Sequence, residues 1–129
     1  MGNKPRLGSL MVKVMLIEDD PTMVSLLTTL LSLEGFTVKV PKNHHMDSIL
    51  KAMIKEQPHV ALVDVNLRLG SGIDLVRQIR QAPEIKKIYI LMSSGLNLKY
   101  ECINAGADDF ILKPYMPEQL INLIHKTVS

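Results

Sequence analysis

From Val12 onward the chain alternates five times between a short apolar run and a longer segment whose apolar residues recur three and four positions apart. The runs have strand length and the segments helix length, so the pattern predicts strand and helix pairs. Val12 to Ile17 is the first strand, and Asp20 with Pro21 supplies an N-cap residue and a proline at the first helical position. Leu26, Leu27, Leu30 and Leu31 give that helix its inward face, and Gly35 closes it. Thr37 to Val40 alternates polar and apolar, as a strand with one face or edge toward water does. A second helix near Asp47 to Glu56 presents Leu50, Met53 and Ile54. His59 to Val65 is almost unbroken in its apolar character, the pattern of a central strand covered on both faces. A turn at Gly70, Ser71 and Gly72 leads into Ile73, Val76 and Ile79 at helical spacing, ended by Pro83. Ile88 to Met92 is the fourth strand, and a short helix near Leu98 to Ala105 stops at Gly106. Phe110 to Leu112 is the fifth strand, and the last helix starts at Pro117 with Leu120, Ile121 and Ile124 inward.

Strands separated by helices join through right-handed crossovers into a parallel sheet with helices on both faces. The expected fold is α/β, a three-layer α/β/α domain around a five-stranded parallel sheet. The second strand is the least apolar and suits an edge, which favours the order 2-1-3-4-5 of flavodoxin-like folds. With 129 residues there is room for one core, and the domain is expected over 11–129. Residues 1–10 lack apolar periodicity and read as a flexible leader or a remnant of cloning.

Composition narrows the class. The chain is 47% hydrophobic and 22% charged, as an ordinary soluble domain is. A single cysteine, Cys102, excludes an internal disulfide framework and a cysteine zinc site. No apolar run approaches the roughly 18 residues of a membrane span, and the start lacks a signal-peptide stretch. A cytoplasmic location and no membrane contact are therefore expected. The net charge of +2 rests on Lys4 and Arg6; from Met11 onward the signs balance and intersperse. No nucleic-acid footprint follows from such a balance. The adjacent His44 and His45 read as a surface loop, and Cys102 as a helix side chain without redox duty.

Candidate chemistry gathers at strand ends. In a sheet of this order, ligands sit beyond the carboxyl ends of the strands where strand order reverses, between strands one and three. Glu18, Asp19 and Asp20 follow strand one, and Asp64 closes the apolar run of strand three. Carboxylates confined to one crevice repel by roughly several kcal/mol unless a cation or protons neutralise them. Hard oxygen ligands select Mg²⁺ over softer metals. Ser93, Ser94 and Gly95 end strand four, and Lys113 ends strand five. Carboxylates with a metal, a hydroxyl and a lysine around one aspartate make a place to hold a phosphoryl group, with that aspartate as nucleophile.

These residues resemble the receiver domains of two-component response regulators. Glu18 with Asp19, Asp64, Ser94 with Gly95, and Lys113 with Pro114 stand in that family's order. Gly72 and the stretch from Gly106 to Phe110 fit as well, so the resemblance runs from about residue 12 to the end. It implies that Asp64 accepts a phosphoryl group from the phosphohistidine of a sensor histidine kinase or phosphotransfer protein. It implies an Mg²⁺ cofactor held by Asp19 and Asp64, by Glu18 through water, and by the backbone carbonyl of Asn66. Ser94 and Lys113 would bind the phosphate, and Phe110 would turn inward, reshaping the face of helix four, strand five and helix five. The bond between Lys113 and Pro114 is a cis candidate. Such a domain is not a turnover enzyme; it promotes its own modification and slow autodephosphorylation. Its downstream partner is another protein or a missing output domain, and phosphorylation-dependent dimerisation is a further expectation.

The sequence departs from the family in places. Arg68 stands where proline is frequent, the interval from Ser94 to Lys113 is about three residues short, and Met116 replaces a hydroxyl N-cap. Asn66 and Leu96 occupy the positions that tune phosphate lifetime in the family. A second reading is a constitutive receiver-like interaction module that phosphorylation does not regulate. A phosphatase of the haloacid-dehalogenase type would want an acid where Asn66 stands, and a flavin carrier a phosphate-cradling loop where the acids follow strand one.

Overall fold

A computed structural model describes residues 12–128; the expected leader lies outside the described residues. The elements follow in the order β1 (Lys13–Ile17), α1 (Pro21–Leu33), β2 (Thr37–Lys39), α2 (Met46–Glu56), β3 (Val60–Asp64), α3 (Gly72–Gln81), β4 (Tyr89–Ser94), α4 (Lys99–Ala105), β5 (Asp109–Leu112) and α5 (Pro117–Val128). The sheet has the expected order, β2-β1-β3-β4-β5, and every pairing in it is parallel. Strand order reverses between β1 and β3, which places the crevice at their carboxyl ends.

Alternation along the strands sorts the core into two layers. Val14 and Leu16 of β1, with Val60 and Leu62 of β3, face Leu27 and Leu31 of α1 and Leu120 and Ile124 of α5. Met15, Ile17, Ala61 and Val63 face the other way, toward Met53 of α2, Leu75 and Ile79 of α3 and Cys102 of α4. With both faces covered, β3 is buried at each of its residues, as its unbroken apolar run requires.

Some boundaries and faces differ from expectation. In α1 the buried stripe is Leu27 and Leu31, while Leu26 is 49% exposed, because the helix carries more leucines than one face can bury. In α2 the buried pair is Ile49 and Met53 and Ile54 is exposed; both sets have helical spacing, and α2 presents the one that packs on Met15 and Ile17. β4 runs two residues past its apolar stretch, since Ser93 pairs with Asp64 and Ser94 with Leu112. Backbone pairing is indifferent to side-chain polarity, so hydropathy misses such an extension. Gly70 and Ser71 form an antiparallel hairpin with Asn66 and Leu67, and the Ser71 hydroxyl then caps α3 by accepting from the Ile73 amide at 3.1 Å.

Two devices tie the elements together. Met116 cannot cap α5 with its side chain, but Gln119 accepts from the Met116 amide at 3.0 Å, the reaching-back half of a capping box. Arg80, at the end of α3, donates to the carbonyls of Gly106, Lys86 and Ile88 and to the Asp108 carboxylate. Asp108 in turn accepts from the Ile90 amide at 2.8 Å, so one guanidinium joins α3, β4 and the loop before β5. Among the described residues no helix is long and apolar enough to cross a membrane.

Candidate functional site

The site lies where β1, β3, β4 and β5 end. Asp64 is the last residue of β3 and is 8% exposed; Glu18 follows β1 and is 4% exposed. Two carboxylates this deeply placed need compensation, and Lys113, just past β5, supplies it. Its ammonium donates to Asp64 Oδ2 and to Glu18 Oε1, each at 3.0 Å. A backbone bond from the Lys113 amide to the Ser94 carbonyl, 2.8 Å long, fixes where that side chain starts. The remaining oxygens are also held: Glu18 Oε2 accepts from the Asp20 amide and Asp64 Oδ1 from the Asn66 amide, both at 3.2 Å.

The protonation balance follows from this burial. Removal from water pushes the Glu18 carboxyl above the usual carboxylate range, and the neighbouring Asp64 adds to it, against the opposing pull of Lys113 and the Asp20 amide. Burial also works against the Lys113 ammonium, but its bonds to Glu18 and Asp64 outweigh it and the lysine is raised above its ordinary value. Lys113 therefore stays charged. Beside it Tyr115 is pushed up to about 12, by burial above all.

Glu18, Asp64 and Lys113 converge. Ser94 is fully buried at the same rim, with its hydroxyl accepting from the Leu96 amide at 3.1 Å. The peptide between Lys113 and Pro114 is cis, as expected. Phe110 is half-buried and packs against the core layer that contains Leu75 and Cys102. Asn66 is exposed in the hairpin, and Asp20 is a helix cap whose carboxylate accepts from the Thr22 amide at 3.0 Å.

Asp19 is placed differently. One of its oxygens accepts from the Arg68 amide, and the other lies 2.7 Å from His44 Nδ1. His44 lies in the expected loop before α2, but its side chain is only 20% exposed and reaches over the acidic end of β1. Neither contact was visible in the sequence, because both join segments far apart in the chain. The Arg68 contact has a chemical rationale, since proline at that position has no N–H to donate.

The donor set suits a hard divalent cation: three carboxylates and a backbone carbonyl, all oxygen. Asp19 Oδ1 is buried and accepts no hydrogen bond of good geometry, which leaves a lone pair for a ligand. Among the described residues no three acidic, cysteine or histidine side chains are yet grouped around a point. In this arrangement the Asp19 carboxylate faces His44 and the Arg68 amide.

Residues 14–125 match the family model for the response regulator receiver domain. The transcriptional regulatory protein CpxR of Klebsiella pneumoniae is 33% identical over 112 residues, covering 86% of this chain and 47% of that protein. The chemotaxis protein CheY of Thermotoga maritima is 26% identical over 116 residues, covering 88% and 95%. The chain thus spans about half the length of CpxR and nearly all of that CheY. A solved putative response regulator from Chloroflexus aurantiacus superposes with a TM-score of 0.82 at 27% identity, covering 91% of this chain and 97% of that one.

Proposed function

The chain belongs to the response regulator receiver domain family, and from that premise we propose that it is a phosphorylation-dependent switch whose phosphoacceptor is Asp64. The observation that carries this reading is the single ammonium of Lys113 bridging Asp64 and Glu18 at 3.0 Å each, at the switch point of the sheet.

In the proposed reaction an Asp64 oxygen attacks the phosphorus of a partner's phosphohistidine. The phosphorus–nitrogen bond breaks, its electron pair stays on the imidazole, and an acyl phosphate remains on Asp64. Phosphoryl transfer of this kind depends on positioning and charge, and Lys113 provides both at the acceptor. Magnesium, when bound by Glu18, Asp19, Asp64 and the Asn66 carbonyl, supplies positive charge toward the transferred oxygens. The Ser94 hydroxyl turns to donate to a phosphate oxygen, and Phe110 moves further into the core behind it. The surface this reshapes already exposes Tyr100 and Ile103 of α4 and Leu112 of β5. Such an apolar face suits a downstream protein, an output domain or a second copy. The donor is a sensor histidine kinase or a phosphotransfer protein, and the proposed setting is the cytoplasm.

The test uses a small phosphodonor with Mg²⁺ and intact-mass detection. One added phosphoryl group is expected on the wild-type chain and none on Asp64→Asn; equal uptake by both ends the assignment. The hold of His44 and the Arg68 amide on Asp19 favours the second reading, a constitutive interaction module. Absence of uptake by the wild type makes that module the better account.

A further inference from the structure

Although basic and acidic residues balance along the chain, folding collects lysines at one place that the proposed switch does not use. A cavity of about 380 Å³ between β2 and α2 has Lys39, Lys42, Lys51 and Lys55 on its walls, and none of its lining residues belongs to the candidate site. Glu56 is the single acidic residue lining it, and that carboxylate is bonded to Lys13 at 3.2 Å. Lys13 also donates to the Glu56 carbonyl at 2.8 Å. Hydrogen bonding to Lys13 first, and then the charges of Lys39, Lys13 and Lys55, hold Glu56 below the usual carboxylate range.

Lys51 and Lys55 stand one turn apart on α2, a like-charge spacing that works against the helix. Lysine stems often cover apolar surface while their heads reach water, and one such residue calls for no ligand. Here four line an apolar depression that includes Val40 and Ala52, and a single lining carboxylate, already paired, opposes them. The volume falls within the range of small-molecule pockets and is too small to admit a nucleic-acid helix. Compact ammonium groups on flexible stems suit phosphates as point charges, and the apolar lining suits a small uncharged body attached to them.

We propose that this cavity is a binding site for a small organic polyphosphate of the nucleoside diphosphate class, its phosphates held by Lys39, Lys51 and Lys55 and its uncharged body on Val40 and Ala52. The site is separate from Asp64, so the proposal does not depend on phosphorylation.

Amide NMR titration with UDP, without added Mg²⁺ and at low salt, tests it against uridine, pyrophosphate and the Lys51→Gln/Lys55→Gln double variant. Both substituted positions are exposed, so the variant keeps its fold, which its amide spectrum verifies. Saturable shifts are expected at the cavity residues with half-saturation at or below about 1 mM, and binding weaker by roughly tenfold in the variant. Uridine is expected to give no saturation, and pyrophosphate to bind more weakly than UDP. UDP shifts that do not saturate by about 5 mM, or an unchanged affinity in the variant, overturn the site. Pyrophosphate binding as tightly as UDP overturns the assigned ligand class, since charge alone would then account for the binding.

Discussion

His44 Nδ1 lies 2.7 Å from Asp19 Oδ1, so the loop after β2 reaches over the acidic end of β1 and holds the residue that a metal ion would need. The Arg68 amide donates to the other oxygen of that carboxylate, while Oδ1 itself accepts no hydrogen bond. Cation binding must exchange these contacts, which places a cost on the bound form that a receiver domain without them does not carry.

Removing the histidine should lower that cost. His44→Ala is expected to bind Mg²⁺ roughly fivefold more tightly, the equivalent of about 1 kcal/mol for one lost polar contact. Isothermal titration calorimetry with Mg²⁺ measures it, and an affinity equal to wild type shows that the contact does not compete.

Gly72 sits against the backbone of the acceptor strand. A Cβ there would lie 2.2 Å from the Asp64 carbonyl oxygen and 3.0 Å from Val65 Cα, and backbone atoms cannot yield as a side-chain tip can. Gly72→Ala is expected to cost about 2–4 kcal/mol and to lower the melting temperature by roughly 10 °C. Thermal denaturation followed by circular dichroism checks this; a shift of under about 2 °C would show that the loop accommodates the methyl group without strain.

Tyr115 makes stability fall at alkaline pH. Its phenol ionises at about 12 in the folded chain against 10.0 ordinarily, so the unfolded chain loses its proton first. The associated stability is complete below pH 10.0 and is lost as pH rises through about 12. Discounted for partial exposure, the loss is about 1–2 kcal/mol. Urea denaturation from about pH 9 to about pH 12 should show a steeper decline for wild type than for Tyr115→Phe. Parallel declines would place the phenol in water.

How far the sequence revealed the fold depended on whether the signal was local. β3 was visible because an unbroken apolar run has one simple explanation, a strand buried on both faces, and its terminal Asp64 stood out for the same reason. Lys113 was legible because it ends an apolar run at the matching rim of the sheet. The buried stripe of α2 was not, since Ile49 and Ile54 both fit helical spacing beside Met53 and only packing against the sheet selects Ile49. The positions of His44 and Arg68 were invisible for a different reason: each meets Asp19 across a loop, and nothing local marks the partner. The lysine cavity is not legible either, because charge counted along a chain says nothing of which residues share a wall.

The most direct test of the switch is to locate the phosphoryl group itself. After reaction with a phosphodonor and Mg²⁺, borohydride reduction converts an aspartyl phosphate to homoserine, which peptide mass spectrometry places in the chain. The account predicts homoserine at position 64 alone. Homoserine at position 19 or 20, or a phosphoryl group found on His44, would contradict it.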